Sequence, residues 1–569
     1  MPNFLEFRNA KCKDCNKCLR ECPVKAIDFK GHQAEIIEDR CILCGHCTLI
    51  CPQNAKVVHS EVESVKQLLQ SKEKVIASVA PAFISSFGLK DFAIMKLALT
   101  KLGFYMAEET AVGAQAVVKE YKRLLETHEF ENFITSACPA SCRLIQEYYP
   151  KALKYLAPVD SPMVAHAKLL KKQYPEARIV FIGPCIAKKR EAEESQLIDN
   201  VLTFEDIVQL FEERNIKIEE ITHVDFSRKD GAPNLAKEFP ISKGIVHSFD
   251  YLPDGYQYLA VDGHQKCIDV LENIEDLSHV FIEMNICNHA CVNGPCSLKT
   301  KGGSIKSVAD IKEYVRKERE NFTAPQDNSP LPVSLTAVHK RIRSHSIPAS
   351  EKDIEAILHR SGKLTPEDEL NCGACGYSTC RDKAWAVYNG YANIEICLPF
   401  MRKRAESLSF EIIKNSPEGI IVLDSDMNIV EMNDKGAELL GIEDPNAKGR
   451  PAIDFFNPLD FCNAYNKKCN IEGTQMYVPS TKKHIDLSIN YLQGQNVLFG
   501  IMKDVTENVN YEEQILKVKM ETLKTTDEVI KKQMRVAQEI ASLMGEVTAE
   551  TKVALLKLKK TLTEEKENK

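Results

Sequence analysis

Several things are scarce in this chain of 569 residues, and each scarcity narrows what it can be. There is no basic surplus: 74 Lys and Arg stand against 81 Asp and Glu, a net charge of -7, so the basic face that a nucleic-acid partner wants is missing. There is no long apolar run. The longest uncharged one, about Val75 to Leu89, falls short of the roughly 18–20 residues that span a bilayer, so no transmembrane segment is expected. The opening MPNFLEFRNAKC has no apolar leader core, which makes the expected location cytoplasmic. No histidine follows His484, so the long helical C-terminal segment has no phosphoacceptor, and any signal it carries is expected to need a partner. The length, several times the roughly 100–200 residues of one domain, implies three to five domains.

Cysteine, by contrast, is plentiful: 21 residues, 19 of them before residue 400. Disulfides are rare in the cytosol, so clustered cysteines there read as metal ligands or catalytic thiols. CKDCNKCLRECP holds Cys12, Cys15, Cys18 and Cys22 before Pro23; CILCGHCTLICP holds Cys41, Cys44, Cys47 and Cys51 before Pro52. Each cysteine of the first group recurs 29 positions later, so this is an internal repeat. C-x2-C-x2-C-x3-C-P, present twice, is the bacterial two-cluster ferredoxin pattern, in which the fourth cysteine reaches the other cluster. One [4Fe–4S] cluster is therefore expected on Cys12, Cys15, Cys18 and Cys51, the other on Cys41, Cys44, Cys47 and Cys22. Zinc fits this triple spacing poorly, because zinc knuckles pair two CxxC units per site.

From residue 62 to about 320, apolar β-rich runs alternate with helical patterns. KVIASVAP, RIVFIGPC and HVFIEMNIC read as buried strands of a largely parallel sheet, with stretches such as AVVKEYKRLLE as helices between them. Cysteines sit at three strand ends: Cys138 in TSACP, Cys185 in GPCIAKKRE, and Cys287 and Cys291 in EMNICNHAC. Strand C-terminal ends are where α/β sheets place their sites, and four thiolates from three loops suit one buried cubane.

These three motifs resemble TSCCPxW, MPCxxKxxE and ExMACxxGCxxGGG of the iron-only ([FeFe]) hydrogenases, over roughly residues 1–320. The resemblance implies that Cys138, Cys185, Cys287 and Cys291 hold the cubane of the H-cluster. It implies that Cys291 also bridges to a two-iron subsite with CO and CN ligands, which handles hydrogen. Lys188 would donate to a cyanide of that subsite, Glu191 matches the glutamate of the second motif, and Ala80-Pro81-Ala82 would wrap the subsite through its backbone.

The departures are as informative. Where the family has two adjacent cysteines this chain has Ala137-Cys138, so the cluster ligand is kept and the thiol that passes protons to the subsite is gone. Alanine has no proton to relay. Ser141 stands for the tryptophan, Gly183 for a methionine, Asn285 for the residue beside the subsite in the third loop, and Asn293-Gly294-Pro295-Cys296 for the glycine run. Further along the family's proton path, Tyr121, Leu124 and Ala157 take the places of two glutamates and a serine. Cys142, Cys267 and Cys296 read as spare buried thiols rather than replacement relays.

After TAPQDNSPLPVS, which reads as a linker, LNCGACGYSTC brings Cys372, Cys375 and Cys380, followed by Cys397. C-x2-C-x4-C-x16-C resembles the small [4Fe–4S] domain of corrinoid iron–sulfur proteins and of the Rnf complex, with zinc as the alternative. SPEGIIVLDSDMNIVEMNDKGAELLG then reads strand, turn at Asp424–Asn428, strand, helix, with Asn433 or Asp434 where an N-cap is wanted. It resembles a PAS domain, with HIDLSINYL and NVLFGIMKDVT as closing strands; Cys462 and Cys469 lack ligand spacing, and His484 reads as a strand histidine rather than an axial ligand. Ile530, Met534, Ala537, Ala541 and Met544 fall at 4-3-4-3 spacing, a helical a/d seam.

The expected fold is multidomain α/β, in this order: a ferredoxin-like α+β module at 1–60, an [FeFe]-hydrogenase-like α/β domain at 61–322, a linker at 323–351, a small helical 4Fe–4S domain at 352–408, a PAS α+β domain at 409–505, and a long helix or coiled coil at 506–569. The expected function is a hydrogen or redox sensor reacting with H2 and protons at a slow H-cluster. Its signal would pass through the clusters and the PAS domain of a homodimer to a partner. By the resemblance, that partner is a kinase or phosphatase. Two rivals stand beside it: a catalytic hydrogenase of low or biased activity that docks a redox partner protein, and an electron-transfer or iron–sulfur scaffold without the two-iron subsite. Metal content tests the cluster assignment: four cubanes and the subsite bring about 16 and 2 irons per chain. Iron nearer 12, or stoichiometric zinc, in elemental analysis of reconstituted protein would remove the Cys372/Cys375/Cys380/Cys397 cluster.

Overall fold

The computed structural model describes the chain outside residues 1–3, 8–10, 31–32, 222–233, 299–301, 322–329, 344–345, 444–446, 495, 544–548 and 565–569. Residues 1–401 form one compact unit and 402–569 a second. Among the described residues no helix is long and apolar enough to cross a membrane.

The cysteine repeat is also a repeat of backbone shape. Left-handed residues recur at the same 29-residue offset, Asp14 with Leu43, Asn16 with Gly45, and Lys25 with Asn54. Each loop uses such turns to aim successive thiols inward before a short helix, Lys17–Glu21 in the first half and His46–Leu49 in the second. The strands Leu5–Phe7 and Lys56–Val58 pair antiparallel and close the module, and Ile27–Lys30 pairs with Gln33–Ile36. At Gly45 a Cβ would stand 2.4 Å from the Cβ of Pro295, so only glycine lets this loop approach the loop that carries Cys291.

The central domain contains two parallel sheets. In the first the strand order is Met106–Glu109, Val75–Val79, Arg178–Ile182, Asn200–Leu202. In the second it is Gln257–Asp262, Val280–Asn285, Phe133–Ile134. Val75–Val79 and Val280–Asn285 are buried along their whole length, as central strands of parallel sheets are. Cys185 follows the end of a strand in the first sheet, whereas Cys138, Cys287 and Cys291 follow strands of the second. The site therefore lies where the C-terminal ends of two sheets meet.

The stretch read as a linker behaves differently over 330–343. Its backbone is extended and laid along the central domain: Thr336 bridges Val159, and Leu335 is buried. Lys168 and Lys172 donate to the carbonyls of Ser334 and Pro332, and the ring of His339 meets the carbonyl of Ala157 at 3.0 Å. Proline keeps the segment extended, and protein side chains take up its carbonyls. Residues 323–329 and 344–345 of the expected linker lie outside the described residues.

The second unit contains a five-stranded antiparallel sheet in the order Ile429–Met432, Gly419–Leu423, Val497–Asp504, Lys483–Leu492, Ile471–Val478. The turn at Asp424 forms as expected, its carboxylate accepting from Asp426 and Asn428. Asn433 is the N-cap of the helix Asp434–Leu440, with its Oδ1 accepting from Gly436 at 2.8 Å. The same amide accepts from Ile420 and donates to the carbonyls of Ile413 and Glu418. His484 packs its ring 4.9 Å from that of Tyr477, in keeping with a strand histidine. The C-terminal segment forms two helices, Thr506–Leu543 and Ala549–Glu564, tied by Lys559 to Asp527 at 3.1 Å; Met544 of the expected seam lies outside the described residues.

Asn433 satisfies four buried backbone groups with one side chain, so Asn433→Ala should cost the second unit roughly 2–4 kcal/mol, a lost cap plus stranded donors and acceptors. Urea titration of the full chain, read by proteolytic cleavage within 402–569, should show this unit opening at lower urea. An unchanged midpoint would assign those bonds no net stabilisation.

Candidate metal centre

One cavity gathers the four cysteines of the three strand-end motifs. Cys138, Cys185, Cys287 and Cys291 line it together with Ala137, Lys188 and Asn285, and Cys44 of the ferredoxin module closes one side. The thiols lie deep. Burial raises Cys185 to about 11 and Cys291 to about 12, and pushes Cys287 well above the ordinary thiol range. Cys291 is the most accessible of the four, and that surface opens onto the cavity rather than bulk water. Thiols so placed stay protonated unless a cationic centre replaces the proton, as iron does. Among the described residues no three Cys, His, Asp or Glu side chains converge closely enough for a single ion. The four sulfurs instead surround a common space, a donor set that fits a multi-iron cluster.

A second cavity adjoins the first. Cys185, Cys291, Lys188, Ala137, Pro184 and Asn285 line both. The Ala80-Pro81-Ala82 segment forms part of its wall, as expected. Lys188 donates to Glu191 at 2.6 Å and to Ser161 at 2.9 Å. Burial opposes its charge, but Glu191 together with the nearby Cys185 and Cys138 more than offsets this, and the ammonium is held above the ordinary lysine range. The other walls are Met163, Phe181, Phe239, Pro240 and Ile245, which sequence reasoning missed. Phe239–Ile245 carries no motif, and only the fold brings it here. Phe181 also accounts for Gly183: a Cβ there would lie 2.7 Å from its ring, so this phenylalanine occupies space beside the position of the family's methionine.

The four positions that depart from the proton path fall in one apolar cluster. Tyr121, Leu124 and Ala157 are buried in it and Ala137 packs against it. The Tyr121 hydroxyl is 3.1 Å from Ser136 Oγ and accepts from the Ser136 amide, while Ser136 Oγ donates to the Val159 carbonyl at 2.6 Å. These polar atoms bond to one another, and Ser136 also lines a separate polar cavity with Cys142, Asp160, Ser161 and Glu191. Cys142 and Cys267 are buried, with thiols pushed up by desolvation and donating to the carbonyls of Ser136 and Asn285; Cys296 is buried and pushed up likewise. None has the exposed, electropositive setting of a reactive thiol.

The ferredoxin cysteines lie within electrostatic reach of one another. Cys47 feels Cys44, Cys41 and Cys22, and Cys18 feels Cys15 and Cys12. Lys56 acts on Cys18, Cys47 and Cys51 alike. Cys22 accepts from the Ala26 amide at 3.3 Å and Cys51 from that of Ala55 at 3.4 Å, one bond repeated at the 29-residue offset. Further along the chain, Cys380 opens a helix capped by Thr379, and Lys363 reaches Cys397 Sγ at 3.6 Å. Cys397, Cys375 and Cys380 all act on the buried Lys383. Cys372 is exposed.

Four family models match the chain: the 4Fe-4S dicluster domain over residues 11–55, the iron only hydrogenase large subunit, C-terminal domain, over 73–257, a putative Fe-S cluster over 368–399, and the PAS domain over 408–472. The chain is a hydrogenase-like protein with a ferredoxin module and a PAS domain. Iron hydrogenase 1 of Clostridium pasteurianum is 28% identical over 369 residues, 51% of this chain and 64% of that protein. The NADP-reducing hydrogenase subunit HndD of Solidesulfovibrio fructosivorans is 24% identical over 42% of this chain and 49% of its own length. The cytosolic Fe-S cluster assembly factor NAR1 of Yarrowia lipolytica is 23% identical over 34% of this chain and 47% of its own length. The chain thus spans about half to just under two thirds of the length of these relatives. Of the matched stretches, 73–257 contains Ala137, Cys138, Cys185 and Lys188, and 368–399 contains the last four clustered cysteines.

This hydrogenase-like chain also carries one buried acid at the site's edge. Glu283 accepts from the amides of Ile245 and Val246 and faces Asn285 Nδ2 at 3.3 Å. Burial raises its pKa to about 7. Its carboxyl should therefore be protonated below about pH 7 and lose that proton as pH rises through 7. Infrared difference spectra should show a protonated-carboxyl band that fades over this range and is absent in Glu283→Gln. A wild-type band that does not titrate between pH 5 and 9 would place the ionisation elsewhere.

Proposed function

We propose that this chain is a hydrogen or redox sensor built on an [FeFe]-hydrogenase scaffold, with a slow H-cluster. The observation that carries this reading is the pair of adjoining cavities that share Cys185, Cys291 and Lys188 while Ala137 stands in the wall of both. Cys138, Cys185, Cys287 and Cys291 would hold a cubane in the first cavity. Cys291, Lys188 and the Ala80-Pro81-Ala82 backbone would hold a two-iron group with CO and CN ligands in the second. That group, when bound, supplies hydrogen activation. The protein's part is to exclude water and place an ammonium beside the group. It offers no thiol at 137 to move the proton away.

Clusters on Cys12/Cys15/Cys18/Cys51, Cys22/Cys41/Cys44/Cys47 and Cys372/Cys375/Cys380/Cys397 would carry electrons between this site and the rest of the chain. The PAS domain and the helices after it would report their charge to a partner, a kinase or phosphatase, from a homodimer. Exposed Ile515, Val518, Val529, Val536 and Ile540 on the long helix support an assembly of copies. The similarity to an iron–sulfur assembly factor favours one further reading, a cluster scaffold without the two-iron group. Infrared bands of CO and CN in protein matured with that group decide between the two.

Ala137→Cys is the direct test of slow turnover. It should raise hydrogen evolution over wild type and over Ala137→Ser at equal two-iron occupancy, but by less than the roughly 10²–10⁴-fold that positioned proton transfer is worth. Tyr121, Leu124 and Ala157 would still block the next steps. Equal rates for the cysteine and serine variants, or a wild type already as fast as catalytic hydrogenases, would remove Ala137 as the limiting feature.

A further inference from the structure

The clustered cysteines after residue 370 belong to the compact unit formed by residues 1–401, and they rest on one particular side of the ferredoxin module. Gly376, beside Cys375, is in the left-handed region at φ +90, and a Cβ on it would stand 3.0 Å from the Cα of Arg20 and 3.3 Å from the carbonyl oxygen of Leu19. The backbone of the Cys372–Cys380 loop therefore lies against the helix that carries Cys18 and leads into Cys22. Lys25, three residues after Cys22, lies within electrostatic reach of both Cys22 and Cys375. Ile396, beside Cys397, packs against the apolar core that contains Cys22 and Ile42.

An arginine clamp secures the same contact. Arg40 immediately precedes Cys41, and its guanidinium lies 4.6 Å from the ring of Tyr391, 5.7 Å from Trp385 and 5.7 Å from Tyr148. Trp385 is the only tryptophan in the chain. Tyr148 belongs to the helix Pro139–Tyr148 that starts at Cys138, and its hydroxyl donates to the Arg40 carbonyl at 2.7 Å. One cation thus joins three cysteine-bearing segments at the residue before Cys41. On its opposite side the Cys22/Cys41/Cys44/Cys47 set meets the hydrogenase-like domain, because Cys44 lines the cavity of Cys138 and Cys287.

We propose that the cluster held by Cys22, Cys41, Cys44 and Cys47 is a branch point. It exchanges electrons with the strand-end cavity on one side and with two separate arms on the other. One arm is the Cys12/Cys15/Cys18/Cys51 cluster. The second is the Cys372/Cys375/Cys380/Cys397 cluster, reached directly and not through the first arm. Each transfer moves one electron between cubanes and breaks no bond; the electrons come from hydrogen at the proposed site or from an added reductant such as dithionite. The branch rests on the four-cubane reading of the chain but requires neither the two-iron group nor hydrogen turnover.

Magnetic coupling tests this in the full chain reduced with dithionite. Spin–spin splitting and enhanced relaxation of the Cys22/Cys41/Cys44/Cys47 cluster should include a contribution from the last cluster. That contribution should survive in Cys12→Ser/Cys15→Ser, which removes the first arm, and vanish in Cys372→Ser/Cys380→Ser. Gly376→Val, which drives a side chain into Arg20, should weaken it while iron content stays at the wild-type value. If the last cluster's coupling disappears with the first arm, the clusters run in series and the branch is wrong. If a double variant loses more than one cubane of iron, Gly376→Val decides: coupling identical to wild type overturns the proposal. Failure of the four-cubane reading would show separately, as iron near 12 or as zinc.

Discussion

The arrangement of the first unit depends on how buried thiols are charge-compensated. Four cysteines from two sheets line one cavity, where burial raises Cys185, Cys287 and Cys291 above the ordinary thiol range. They can act as thiolates only with a cationic centre among them. The geometry around them follows from keeping that space closed and dry. Strands buried end to end bring the loops together, and Gly45 allows the ferredoxin module to approach Pro295. Lys188 adds positive charge at the border of the two cavities, held in place by Glu191 and Ser161.

The same dryness explains why position 137 matters. In an exposed site a missing relay is replaced by water. Here Tyr121, Leu124, Phe133 and Ala157 form a packed apolar layer against Ala137, and the hydroxyls of Tyr121 and Ser136 are bonded to each other and to backbone. Under the proposed function, water excluded from this layer would leave no medium there through which a proton could bypass the missing thiol.

What could be read from the sequence was whatever obeys a short period or a local rule. The cysteine repeat, the strand-end cysteines, the turn at Asp424 and the cap at Asn433 each depend on residues within a few positions of one another, and the structure shows each of them. Contacts that depend on distant segments were not legible. Nothing in TSACP or EMNIC says that these loops belong to one sheet and GPCIA to another. Phe239, Pro240 and Ile245 line a cavity whose other walls lie up to 160 residues earlier in the chain, and no spacing announces them. The segment 330–343 misled because Pro, Ser and Asn are common to free linkers and to extended backbone fixed by other parts of the protein.

That extended segment is held in an unusual way. Its carbonyls are taken up by Lys168, Lys172, Gln146 and the Asp160 amide, and its side chains Leu331, Val333, Leu335 and His339 pack or bond against the central domain. Such a grip reads the path of the chain together with a few side chains. Substitutions along 330–343 should therefore be nearly neutral only where the backbone stays extended, positions 331, 333 and 335 stay apolar and His339 is kept. Evolutionary drift would be fast there and slow in the lysines that hold it, so the part of the sequence that looks least constrained would be anchored by residues more than 150 positions away.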